Sequence, residues 1–163
     1  MNSPDQIGFL STRIKQLKSA VMHTLSNEVL NLPDITVHAI DVDLGGFVWF
    51  TILKPARNVA DEEKSFYVSL DFFKASMPFC LNISGVARLI TSIEEIETLP
   101  QALKKNITPD RLMVSVKIKE VDYYEEEESV TEKATWFQKC RNFWNQAFSL
   151  DEYYTPFHLR SAN

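Results

Sequence analysis

A mainly β fold, an antiparallel barrel with flanking helices, is what this sequence predicts, on three observations. The first is the stretch Gly45-Gly46-Phe47-Val48-Trp49-Phe50-Thr51, a tight turn running into aromatic and β-branched residues that suit a pleated surface. The second is a set of further runs of strand composition: Ile35 to Ile40 upstream, Ser65 to Phe73 and Pro78 to Ile90 downstream. The third is the alternating run from Arg111 to Tyr124. The paired glycines accept the positive φ of a hairpin turn, and the Trp49 strand is expected at the centre of the barrel.

Taken in order, residues 1–9 read as a loose leader. Ile14, Leu17, Val21 and Leu25 lie at helical spacing, so a helix is expected over Leu10 to Leu25, with a short strand at Val21–Leu25 as the alternative. Asp41 and Asp43 flank the turn before Phe47 and read as turn formers rather than paired catalytic carboxylates. Along Phe47 to Leu53 both faces are apolar, which predicts a strand covered on both sides. Gly85, in the middle of a long strand, marks a bulge or bend. Ile93, Ile96, Leu99 and Leu103 are helically spaced, but Pro100 divides them into two short pieces. In the strand after Arg111, Leu112, Val114, Val116 and Ile118 face in, while Ser115, Lys117 and Lys119 face out. From about 131 to 148 a helix is expected, with Trp136, Phe137, Cys140, Phe143, Trp144 and Phe148 on one stripe. That face covers an open side of the barrel or packs on a second subunit.

Composition narrows the classes. A chain of 163 residues is one ordinary domain, 1–163, and its 45% hydrophobic and 24% charged residues are globular values. A net charge of −5 argues against nucleic acid and anionic membranes as general partners, though it leaves room for a small anion held by a local basic cluster. Cys80 and Cys140 lack metal or CxxC spacing and read as buried thiols. No apolar run approaches the length of a membrane span, and Met1-Asn2-Ser3-Pro4-Asp5 lacks the basic and apolar regions of a secretory leader, so the cytoplasm is the expected compartment. His38 reads as an ordinary strand histidine. No Ser stands in a G-x-S-x-G turn, and with four glycines there is no glycine-rich phosphate loop.

The order of elements resembles the FMN-binding split barrel of the pyridoxamine 5'-phosphate oxidase-related proteins, including their small general-stress type. Two stretches carry the likeness: Gly46-Phe47-Val48-Trp49-Phe50-Thr51, and Asn82-Ile83-Ser84-Gly85-Val86-Ala87-Arg88-Leu89. The similarity spans roughly residues 12 to 124. It implies an antiparallel split β-barrel, a homodimer, and FMN in the groove between subunits, with a flavin-dependent oxidoreductase acting on a small molecule as the implied activity. It places the flavin contacts at Trp49, Phe50 and Thr51, of which at most one aromatic ring touches the flavin, and the phosphate contacts at Lys54 and Arg57. Pro55 or Ala56 stands where the family has a serine, and no basic residue precedes Gly46 on the upstream strand. The alternative is a flavin-free dimeric barrel serving as a binding or sensing module. No catalytic residue and no metal ligand is assigned.

Overall fold

The computed structural model describes residues 4–25, 32, 34–125 and 159–162. The expected helix over 131–148, Cys140 and the aromatic residues after 152 lie outside the described residues. Helix α1 spans Pro4–Leu17 and is followed by β1 (Ser19–Thr24), β2 (Ile35–His38), β3 (Asp41–Val42), β4 (Phe47–Leu53), β5 (Ser65–Phe72) and β6 (Phe79–Ile90). After them come α2 (Ile93–Thr98), α3 (Gln101–Lys104), β7 (Arg111–Glu125) and β8 (Leu159–Ala162).

The N-terminal expectation is corrected. The helix begins at Pro4 rather than near Leu10, and it stops at Leu17 rather than running to Leu25. Proline is well placed in a first helical turn, where its missing N–H has no partner to lose. Lys18 ends the helix by adopting a left-handed conformation (φ 68°), its N–H bonded to Ile14 O at 2.7 Å. The period then changes from 3.6 to 2: Ala20 and Met22 point inward and are buried, Val21 and His23 outward. Ile7, Leu10, Ile14 and Leu17 form the buried stripe of α1 and join the barrel core.

The strands order as β2-β1-β5-β6-β7-β4-β3, with β8 parallel to β7 and the other pairs antiparallel. β4 is therefore next to one end of the order and not central; β6, flanked by β5 and β7, takes the middle. The ends of the order are joined. β2 lies along β1 and β3 along β4, and between them Ala39 donates to Lys18 O and Ile40 to Trp49 O, at 2.9 and 2.8 Å. One short stretch, 35–42, thus ties both ends of the sheet and curls it into the barrel that the sequence predicts.

Both glycine readings meet the structure at specific positions. In the turn only Gly46 has positive φ (76°), and its N–H bonds to Asp43 O at 3.0 Å. Asp43 is a turn former as expected: its carboxylate accepts from Phe47 N at 3.1 Å and from Trp49 Nε1 at 2.8 Å. The β6–β7 register slips between Ser84 and Gly85, the bulge expected at that glycine. Pro100 separates α2 from α3, and Ser92 caps α2 by accepting from Glu95 N at 3.1 Å. Along β7, Ser115 is buried, against the outward position expected of it. It shares a sheet face with Trp49 and Met113, which pack with Ile96, Leu99 and Leu103 of the α2–α3 region.

Arg13 fixes α1 to the far ends of β6 and β7. Its guanidinium lies 4.4 Å from the Phe79 ring centroid, 5.2 Å from Phe9 and 5.6 Å from Tyr123, and 3.4 Å from Glu125 Oε1. A flat, weakly hydrated cation stacks on aromatic faces at little desolvation cost. Tyr123 donates its hydroxyl to Glu125 Oε2 at 2.7 Å, and burial, reinforced by that carboxylate, pushes its ionisation above the ordinary tyrosine range.

Candidate functional site

The face shared by β4 and β7 is set by register. Trp49 stands opposite Ser115, Thr51 opposite Met113, and Leu53 opposite Arg111. Alternation sends Val48, Phe50 and Ile52 into the core and leaves Phe47, Trp49 and Thr51 half-buried on the outer face. The apolar cover expected on both sides of β4 is thus complete on one side only. Phe50 is fully buried in the barrel interior. Of the two aromatic candidates, Trp49 is the one on the Thr51 face, held there by its bond to Asp43.

The end of β4 brings Thr51 beside Arg111 of β7. Arg111 Nη1 donates to Thr51 Oγ1 at 3.2 Å. Lys54, whose side chain is exposed, anchors through its backbone N–H to Asp110 O at 2.8 Å, which keeps the end of β4 beside the start of β7. Arg57 has a different partner, Glu63. Its Nη1 donates to Glu63 Oε2 at 2.8 Å and its Nη2 to Glu63 Oε1 at 3.2 Å. Glu63 Oε2 also accepts the Ala60 N–H at 3.0 Å, in the 3-10 turn Asp61–Glu63. The Arg57 bond, its largest cause, lowers the Glu63 carboxyl below the ordinary range, and the same bond raises Arg57.

Sequence reasoning missed Arg111 and Glu63 as members of this region. Arg111 reaches Thr51 because β7 pairs with β4 across 60 residues of chain, a separation that no local pattern reports. Glu63 carried no signal beyond a short run of acidic residues.

A second polar cluster lies on the outer face of β1, β5 and β6. His23 bridges two carboxylates, Nδ1 to Asp34 Oδ2 at 2.9 Å and Nε2 to Asp71 Oδ2 at 3.1 Å. Asn82 Nδ2 donates to Ser69 Oγ at 2.6 Å and to Asp71 Oδ1, onto which Ser69 Oγ also turns at 3.4 Å. Burial is the largest influence on Asp71 and raises its carboxyl above the ordinary value despite these donors. A raised acid binds its proton more readily in the folded than in the unfolded chain. Its contribution is therefore fully present below the unfolded value and is lost as pH rises through the folded one. Asp71→Asn removes that titration and is expected to flatten the fall in stability as pH rises above the ordinary carboxylate range, followed by urea unfolding at each pH. An unchanged slope would show that another group sets it.

A cleft of about 340 Å³ opens between the end of α1 and the 38–42 bend, lined by apolar Ile14, Ile40 and Val42 and by Lys15, Lys18, His38 and Asp41. His38 is exposed and shares a 2.8 Å hydrogen bond with Ser19 Oγ. Among the described residues no group of three or more His, Cys, Asp and Glu side chains could hold a metal ion, and no helix is long and apolar enough to cross a membrane.

The fold is shared with solved proteins. A protein from Clostridium acetobutylicum, described as related to general stress protein 26 and of the pyridoxinephosphate oxidase family, matches with a TM-score of 0.55 at 12% identity, over 82% of this chain and 98% of its own. A general stress family protein from Xanthomonas campestris pv. campestris matches at 0.54 and 18%, over 81% and 95%. The general stress FMN/FAD binding protein of Xanthomonas citri matches at 0.53 and 18%, over 78% and 92%. At these identities the likeness is one of fold, and it is the split-barrel fold of the family that the sequence resembles. No family model and no curated protein matches the sequence.

Proposed function

We propose that this chain binds FMN on the outer face of β4 and works as a homodimeric flavoprotein on a small molecule, most simply an oxidoreductase in the cytoplasm. The observation that carries the reading is the Arg111 guanidinium on the Thr51 hydroxyl at the end of β4, with exposed Lys54 three residues further along the chain, in a fold shared with an FMN/FAD binding protein. That donor set suits a phosphate, which takes hydroxyl and guanidinium hydrogen bonds and gains from nearby positive charge. Thr51, Lys54 and Arg111 would hold the phosphate, Arg57 would add to them, and Trp49 is the one of the two aromatic candidates on this face. A bound flavin would supply the redox chemistry, and the protein the orientation and the electrostatics.

A second reading is a flavin-free dimeric binding or sensing module. The bidentate Arg57–Glu63 pair favours it, because a carboxylate already occupies one of the expected phosphate contacts. The absorbance spectrum of the purified protein and an FMN titration separate the two. Flavin absorbance, or quenching of added FMN at tens of micromolar, supports the first. The double variant Lys54→Ala, Arg111→Ala is then expected to weaken FMN about tenfold, or ~1.4 kcal/mol. A colourless protein that leaves added FMN unquenched at that concentration supports the module.

A further inference from the structure

We infer that Glu63 is a built-in substitute for a ligand's phosphate on Arg57, and that it sets the preference of the β4 site between FMN and riboflavin, the same flavin without the phosphate. The inference rests on the phosphate-binding reading of Arg57 given above. The Glu63 carboxylate has the donor set that an oxyanion seeks: both guanidinium nitrogens of Arg57, at 2.8 and 3.2 Å, and a backbone amide, Ala60 N–H, at 3.0 Å. The geometry is lopsided in exposure. The Glu63 side chain is 14% exposed and that of Arg57 53%, so the carboxylate is seated while the cation remains reachable from solvent. The 3-10 turn Asp61–Glu63 places the carboxylate there through the Ala60 bond, only six residues from its partner.

An arriving phosphate meets a cation whose charge is already balanced. It must share Arg57 with Glu63 or displace it, and it also faces the repulsion of a second anion. An exposed pair of this kind is worth little in water, so Glu63 shifts the balance and does not close the site. Riboflavin carries no phosphate and is indifferent to the pair. Glu63 thus lowers the gain that a phosphate brings, and the site discriminates weakly between the two flavins while the carboxylate is in place.

Glu63→Gln tests this with little change of shape, since the amide oxygen still accepts from Ala60. FMN and riboflavin are titrated into both proteins by fluorescence quenching, at fixed salt. The glutamine variant is expected to bind FMN about threefold more tightly, the order of an exposed ion pair, with riboflavin unchanged. Adding Arg57→Ala to it is expected to abolish the gain. Equal affinities for FMN in the two proteins, or an equal change for both flavins, would overturn the inference. If neither protein binds either flavin, the flavin reading fails by itself, and inorganic phosphate decides the role of Glu63. A larger phosphate-dependent rise in melting temperature for Glu63→Gln than for the parent, lost on adding Arg57→Ala, supports it. An equal rise in the two overturns it.

Discussion

Gly85→Ala is expected to lower the unfolding free energy by about 3 kcal/mol, the upper part of the range for overpacking a close-packed interior. A Cβ at Gly85 would lie 2.2 Å from the carbonyl oxygen of Lys117, 3.0 Å from its carbon and 3.1 Å from Val116 Cγ1. The first two are backbone atoms of the paired strand, so no rotamer change relieves the contact. Relief requires β6 and β7 to move apart where their register already slips. These are the two longest of the described strands and they form the broadest ladder among them, so the strain spreads along it. Urea denaturation of the purified variant measures the effect. A loss under about 1 kcal/mol would mean that the bulge can migrate along β6 and absorb the methyl group.

Phe50→Ala is the second large effect, about 4 kcal/mol by the usual cost of emptying a buried aromatic site. For a domain of this size that corresponds to a fall in melting temperature of roughly 10 °C. Phe50 is fully buried, with buried Val48 and Ile52 on either side of it along the same face of β4. This variant also separates two roles. A core residue that never meets the ligand changes stability alone, and FMN affinity, measured well below the melting temperature, stays as in the parent. Weakened affinity in the folded protein would instead put the ring within reach of the flavin.

The barrel was legible because its signals are local. The alternation in β7, the apolar turn-to-strand run at Phe47 and the glycine at the bulge each declare themselves within a few residues. The α1–β1 boundary was ambiguous for an equally local reason, and of its two readings β1 bears out the short strand at Val21–Leu25 rather than the helix. Val21 and Leu25 continue the spacing of Ile14 and Leu17 by coincidence, and the stop signal is Lys18, a residue type seldom found in the left-handed conformation it adopts. The position of β4 near one end of the strand order was not legible, because sheet order is set by pairings between distant segments. The same holds for the site. Thr51, Lys54 and Arg57 follow one another in sequence, whereas Arg111 joins Thr51 through strand register. Glu63 captures Arg57 through a turn that apolar periodicity does not reveal.

The stretch 35–42 has a consequence for association. A sheet that ends in open strands invites another chain to add a strand of its own, the usual route to fibres and to edge-paired oligomers. Here the two terminal strands, four and two residues long, belong to one continuous stretch whose N–H groups at Ala39 and Ile40 are already spent on opposite ends of the sheet. The seam is thus closed by two very short strands. At this seam, then, a second copy of the barrel finds no open ladder to extend and would meet the molecule through side chains instead.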